Sequence, residues 1–143
     1  MAITAAVCNS FKLETLPTVA GVHLSGDVYK IALYTSAATL SKATTVYSAT
    51  NEVAASGTYS AGGQALVGLT TALDTDTAVL DWTTDPVWTG ATITARGALI
   101  YNSSKSNKAV AVLDFGSDIT STAGTFTVAL PAPTAAAGAV RLA

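Results

Sequence analysis

Two strand-like segments joined by a short polar link constrain the fold of this chain more than any other feature. In residues 91–101 and 108–115, apolar side chains alternate with polar or small ones, and the link Asn102–Asn107 between them is polar throughout. Alternation with a period of two is typical of a β-strand, and so short a link favours an antiparallel hairpin. The sequence therefore predicts a hairpin at the centre of a sheet.

The alternation also predicts which side of the hairpin is buried. Leu99 belongs to the apolar face of the first segment, and Leu113 and Phe115 belong to the corresponding face of the second. Val110 and Val112 fall on the opposite face of that second segment, because successive side chains of a strand point to opposite sides. We therefore expect Leu99, Leu113 and Phe115 to be core residues.

Further segments of the chain show the same strand-like pattern between turn residues. Four of them cover residues 28–35, 64–73, 77–82 and 124–130, a weakly pairing segment covers 45–49, and a last short strand covers 139–142. Short strands at this spacing are typical of β-sandwiches. The sequence thus predicts an all-β fold, a single antiparallel β-sandwich of Ig-like or jelly-roll type in one domain over residues 1–143, with a short N-terminal helix or arm.

The N-terminal segment has a different pattern. Ile3, Val7 and Phe11 recur at a spacing of four residues, and Pro17 cannot continue a helix, so the sequence predicts a short amphipathic helix over residues 3–15. Val19–Leu24 reads as a short extended piece after it. This helix or arm occupies residues 1–24.

The two ends of the chain carry no recognisable targeting signal. Met1–Leu16 has no basic region before an apolar stretch, so we expect no signal peptide. None of the apolar runs reaches the roughly 18 residues that a membrane span needs, so we expect no membrane association. The Pro/Ala-rich C-terminal region, residues 131–143, reads as a tail or edge strand.

The chain carries little charge. Charged residues make up 11% of it, hydrophobic residues 50%, and the formal net charge is −2. Nucleic-acid binding depends largely on basic side chains, so DNA and RNA are unexpected partners. Because charge normally keeps monomers apart, a surface this poor in charge favours burial against other subunits, and we expect a homo-oligomer.

The residues that could carry chemistry are few. His23 is the single histidine and Cys8 the single cysteine, and neither lies in a motif of a nucleophilic enzyme. Asp74-Thr75-Asp76 begins like a calcium loop but lacks the later ligands, so it reads as a turn. The sequence predicts no catalytic, cofactor-binding or metal site.

Aromatic side chains are the remaining candidates for binding. Trp82, Trp88, Tyr47, Tyr59 and Tyr101 could together stack on a sugar ring, but the stronger expectation is that large rings close the end of the sandwich. A glycan platform is thus the lesser alternative.

Four residues are candidate contacts for a protein partner: Lys105, Arg96, Trp88 and Tyr59. Lys105 lies in the polar link of the hairpin. Arg96 lies within a strand, where it either pairs with a carboxylate such as Asp114 or reaches a neighbouring subunit.

Four segments resemble a family of small structural proteins encoded by tailed bacteriophages and prophages. They are residues 29–34 (YKIALY), 47–52 (YSATNE), 94–102 (TARGALIYN) and 111–116 (AVLDFG), and the resemblance extends over most of residues 1–142. The members of this family are mostly without an assigned function and are regarded as virion components. The resemblance implies a virion protein made in the bacterial cytoplasm.

The resemblance and the composition together lead to one expectation of function. We expect a non-enzymatic capsid decoration or cement protein that stabilises the head lattice, with the major capsid protein or other virion proteins as partners. The alternative is a tail-associated adaptor or fibre module, which could contact host glycans.

Overall fold

The computed structural model describes residues 2–15, 22–130 and 138–142. Within them the chain forms eight strands and one short helix, all strand pairs being antiparallel. The all-β prediction is confirmed. In chain order the elements are β1 (Ala6–Val7), α1 (Asn9–Glu14), β2 (Tyr29–Tyr34), β3 (Gln64–Ala65), β4 (Val67–Asp74), β5 (Thr77–Thr84), β6 (Val87–Asn102), β7 (Lys108–Thr127) and β8 (Val140–Leu142).

The larger sheet is built around the predicted hairpin. Its five strands lie in the order β1-β7-β6-β2-β3. The hairpin runs from the pair Asn102 and Lys108, next to the polar turn, to the pair Val87 and Thr127 at the far end. Residues 124–127 are thus the end of β7, so the prediction of a separate strand over 124–130 was wrong. Residues 116–123, most of which are polar or small, are also part of β7, because this stretch pairs with the backbone of β6.

The smaller sheet has three strands in the order β4-β5-β8. The predicted strand over 64–73 is divided at Leu66, where the chain leaves the larger sheet after β3 and enters the smaller one as β4. Gly63 permits this approach, since a Cβ atom there would overlap the carbonyl group of Ile31 in β2. The predicted turn at Asp74-Thr75-Asp76 joins β4 to β5, and Thr75 has a positive φ of 57°.

The C-terminal strand is confirmed as β8, paired with β5 from Leu80 and Val140 to Ala78 and Leu142. The carboxylate of Asp81 holds the chain before β8 in place by accepting a hydrogen bond of 3.1 Å from the Ala139 backbone. The rest of the predicted tail, residues 131–137 and 143, lies outside the described residues.

The predicted helix over 3–15 was wrong in its first half. Ile3 forms a parallel bridge with Leu40, and β1 pairs with Ala111 and Val112 of β7, so the chain is extended before α1 begins at Asn9. Ile3 and Val7 take part in β pairing, which takes precedence over a weak helical pattern, and Phe11 is buried from within α1. Most of the predicted extended piece Val19–Leu24 lies outside the described residues.

The core contains side chains from both faces of the larger sheet. Leu99 is fully buried, as predicted, and so are Val110 and Val112, which the alternation had placed on the outer face. Leu113 and Phe115 are only partly buried, so the prediction that both are core residues was wrong. The reason is that β7 is covered on both faces near the turn and loses that cover beyond Val112.

Candidate functional site

Two of the four predicted contact residues lie in the core. Trp88 and Tyr59 are each 1% exposed, and their rings pack against each other with centroids 5.4 Å apart. Side chains this deeply buried leave no surface for a partner. Tyr101 and Trp82 are buried as well, so four of the five rings considered for a glycan platform pack inside the sandwich, and the fifth, Tyr47, is partly buried.

The other two predicted contact residues lie nearer the surface. Arg96 approaches Asp114 on the neighbouring strand, with Nε and Oδ1 3.5 Å apart, so the predicted pairing is confirmed. Lys105 donates a hydrogen bond of 3.0 Å to Oδ1 of Asp27. Both cations therefore have partners within the chain, and each retains some exposed surface.

A polar cluster surrounds the turn of the hairpin. Asn102, which is fully buried, donates to Oδ2 of Asp27 at 2.8 Å and to Nδ1 of His23 at 3.2 Å. Nε2 of His23 donates in turn to Oε1 of Glu14 at 3.0 Å, and Lys108 approaches Oε2 of the same carboxylate at 3.0 Å. This pattern places the ring proton on Nε2 and fixes the N-terminal segment against the hairpin turn.

The charges of this cluster are stabilised by its hydrogen bonds. Burial alone would raise the pKa of Glu14, but hydrogen bonds from His23 and Lys108 outweigh it, and the pKa is lowered. Burial would also raise the pKa of Asp27. Hydrogen bonds from Asn102, the Leu24 backbone and Lys105 outweigh it, so this pKa is lowered as well. The cluster therefore stabilises both carboxylates in their charged form.

A second cluster is centred on Glu52. Its carboxylate accepts hydrogen bonds from the Tyr47 hydroxyl at 2.6 Å, the Tyr59 hydroxyl at 2.7 Å and the Gly62 backbone at 2.7 Å. Tyr101 donates to the carbonyl oxygen of Gly62 at 2.6 Å and stacks on Tyr47 with ring centroids 4.7 Å apart. The cluster attaches the long segment between β2 and β3 to the larger sheet.

The tyrosines of this second cluster are poor acids. Burial, together with the negative charge of Glu52, raises the pKa of Tyr101 to about 12. The pKa values of Tyr47 and Tyr59 are raised further, because both hydroxyls also donate to Glu52. These hydroxyls thus stay protonated near neutral pH and act as hydrogen-bond donors.

Cys8 is not a reactive thiol. It is fully buried, and burial raises its pKa to about 11, so the thiolate form is negligible near neutral pH. In the described residues no three His, Cys, Asp or Glu side chains come together in a way that could hold a metal ion.

One apolar cleft opens between the smaller sheet and the N-terminal part of the chain. It has a volume of about 240 Å³ and lies next to His23 and Tyr29. Most of its lining is apolar, contributed by Phe11, Leu69, Val79, Leu80, Val140 and Leu142. Such a lining suits an apolar group and offers little to a charged one.

The most exposed apolar side chains of the two sheets are on β4. Leu73 is 74% exposed and Val67 is 59% exposed. No described strand pairs with β4 on the side away from β5, so the backbone groups on that edge have no strand partner there. We take this edge, residues 67–73, as the candidate interaction site.

The sequence did not identify this site. The single strand predicted over 64–73 is two strands in different sheets, β3 and β4, and alternation does not show which of them is an edge, because strand order in space decides that. The available signal was the composition of residues 67–73, which contain no charged residue and no proline. An outer strand usually carries charged residues or proline, which prevent pairing with other chains.

Comparison with known protein families, with curated proteins and with solved structures found no match to this chain. In the described residues, no helix is long and apolar enough to cross a membrane.

Proposed function

We propose that the protein is a non-enzymatic structural component of a bacteriophage virion, a head decoration or cement protein that self-associates and binds the major capsid protein. The observation that carries the proposal is the edge of β4, where Val67 and Leu73 are exposed and no strand of the described residues pairs with the backbone. An edge of this kind is unfavourable on an isolated protein and is stabilised when another chain covers it.

The internal structure supports the same proposal. The two polar clusters join distant parts of the chain: one holds the N-terminal segment to the hairpin turn, and the other holds the segment between β2 and β3 to the larger sheet. A protein that reinforces a shell must resist deformation when force passes through it. Partly buried hydrogen-bonded networks of this kind favour such rigidity.

The charge-poor composition also fits a protein that is buried in an assembly. With 11% charged residues, the surface is well suited to contact other protein surfaces, because few charges have to be desolvated on binding. Each copy bound across a junction of shell subunits would add buried area there. That added area would oppose the internal pressure that separates the subunits.

The test compares particles of the encoding phage with and without this protein. Particles that lack it should release their DNA at a lower temperature than complete particles. Adding the purified protein should raise that temperature to the value for complete particles. Equal stability of the two kinds of particle, together with absence of the protein from complete particles, would contradict the proposal.

A further inference from the structure

The free edges of the two sheets are not alike. At β1, β3 and β8 the outer strand has only two or three residues, and very short outer strands offer little to a pairing chain. Three longer edges without a partner strand remain among the described residues. They are the part of β7 beyond Val112, where the pairing with β1 ends, the part of β6 before Gly97, where the pairing with β2 ends, and β4. The β6 edge is partly covered, because Ser56 and Thr58 form hydrogen bonds with the backbone of Thr92 and Thr89.

The free part of β7 carries features that discourage pairing. Asp114 and Asp118 put negative charge along it, and Gly116 and Ala123 have positive φ angles of 82° and 44°. The register with β6 also shifts at several points along this part of the hairpin. Charges, bulges and irregular backbone are the usual means by which proteins protect a free edge.

The free edge of β4 lacks these protections. Residues 67–73 contain no charge and no proline, and their register with β5 is continuous from Val67 with Thr84 to Leu73 with Ala78. Gly68 has a positive φ of 80°, but its backbone lies against Thr83 of β5, which explains the glycine through packing within the sheet. Among the described residues, the β7 edge is thus protected by charge and irregular backbone, the β6 edge is partly covered by the chain itself, and the β4 edge has neither protection.

We propose that β4 pairs with β4 of a second copy, antiparallel about a two-fold axis at Thr70, so that the two three-stranded sheets join into one six-stranded sheet. This inference rests on the proposed self-association and names its interface. A two-fold interface must be complementary to itself. Residues 67–73 meet that condition, because an identical segment brings no like charge against them, and Asp74 at the end of β4 lies opposite Leu66 in this register.

The register about Thr70 follows from the exposed side chains. In this register Val67 lies opposite Leu73 of the second copy, and Leu73 lies opposite its Val67, so the four exposed apolar side chains form two cross-strand pairs. The next allowed register, with the axis at Thr71, would set Leu73 opposite Leu69 and Val67 opposite Thr75 of the turn, so Val67 would lose its apolar partner. Cross-strand apolar pairs are the main source of side-chain stabilisation between strands.

The first test uses charged variants in sedimentation experiments. Val67→Glu combined with Leu73→Glu places like charges opposite each other at both pairs, and self-association should weaken roughly tenfold or more. Val67→Lys combined with Leu73→Glu places opposite charges there and should associate close to the wild-type level. The two variants change the same positions, so a difference between them reports on the pairing and not on folding.

Leu13→Lys is the matched control, because Leu13 is an apolar residue of α1 that is 58% exposed and lies outside β4. It should leave association unchanged. Equal association of the Glu/Glu and Lys/Glu variants would overturn the inference.

The second test is a crosslink at the axis. Thr70→Cys places two thiols directly opposite each other, within the distance that a disulfide spans, and should crosslink the copies on oxidation. Thr71→Cys, which lies opposite Leu69 in this register, should crosslink far less. The buried Cys8 is common to both proteins and does not contribute.

The outcomes separate this inference from the proposed function. If the wild-type chain self-associates and the β4 variants have no effect, the inference is wrong and the proposed function stands. If the wild-type chain is monomeric but still binds particles, the inference is also wrong and the capsid contact remains. If the chain neither self-associates nor occurs in particles, both are wrong.

Discussion

At the scale of single residues, Glu52 is the charged side chain at the centre of the second polar cluster. It is one of two glutamates in the chain, and its carboxylate accepts hydrogen bonds from three donors that belong to the segment between β2 and β3. A hydrogen bond to a charged acceptor is stronger than one between neutral groups. The three bonds to Glu52 should therefore contribute strongly to the stability of this segment.

Replacing Glu52 by alanine should therefore be strongly destabilising. Glu52→Ala leaves the hydroxyls of Tyr47 and Tyr59 and the Gly62 backbone without their acceptor, and the free energy of unfolding should fall by about 3 kcal/mol or more. Asp114→Ala is the control: its ion pair with Arg96 is partly exposed and should be worth less than about 1 kcal/mol. Equal urea midpoints for the two variants would contradict the assigned role of Glu52.

The cluster at the hairpin turn makes stability depend on pH. The pKa values of Glu14 and Asp27 are lower in the folded chain than in the unfolded chain, so the unfolded chain binds more protons in acid. The contribution of the two carboxylates to the free energy of unfolding is complete above their ordinary pKa values of about 4. It is lost as the pH falls through their lowered pKa values in the folded chain.

The measurement is the urea midpoint between about pH 6 and about pH 3. The wild-type midpoint should fall over this range, and the fall should be smaller in the combined variant Glu14→Gln and Asp27→Asn. If the variant keeps the full acid sensitivity of the wild type, other groups are responsible.

At the scale of elements, the hairpin shows where alternation predicts structure and where it does not. Strands over 28–35, 77–82 and 91–101 follow from alternating apolar residues and are confirmed. Residues 116–123 carry no apolar alternation, and their pairing with β6 alone makes them a strand. The N-terminal segment has a helical spacing, but pairing of β1 with β7 overrides it.

Burial was harder to predict than strand position. The alternation identifies two faces of β7, yet which face is covered depends on which neighbours lie above and below it. Near the turn both faces are covered, so Val110 and Val112 are buried together with Ala109 and Ala111. The free edge of β4 was beyond prediction for the same reason, because edges arise from the order of strands in space.

Leu99 and Leu113 test the burial pattern of the hairpin with one and the same substitution. Leu99 is fully buried, whereas Leu113 on the neighbouring strand is partly exposed. Leu99→Ala should lower the free energy of unfolding by about 3 kcal/mol or more, and Leu113→Ala by no more than about half as much. Urea denaturation of both variants gives the comparison, and a larger loss for Leu113→Ala would show that the two faces have been assigned wrongly.

At the scale of the whole molecule, the protein combines a rigid interior with one unprotected edge. The interior is fixed by aromatic packing and by two polar clusters that join distant segments. The surface has few charges, and the β4 edge exposes apolar side chains on a strand that has no partner on that side among the described residues. This combination suits a protein that acts by binding to other protein surfaces, as the proposed role in a virion requires.

The most direct test of that role is the number of copies of this protein in purified particles of the phage that encodes it, measured relative to the major capsid protein by quantitative mass spectrometry. A decoration or cement protein should be present in a number comparable to that of the capsid subunits, because it binds throughout the lattice. A small fraction of that number would assign the protein to the tail, and its absence from the particles would contradict the structural role altogether.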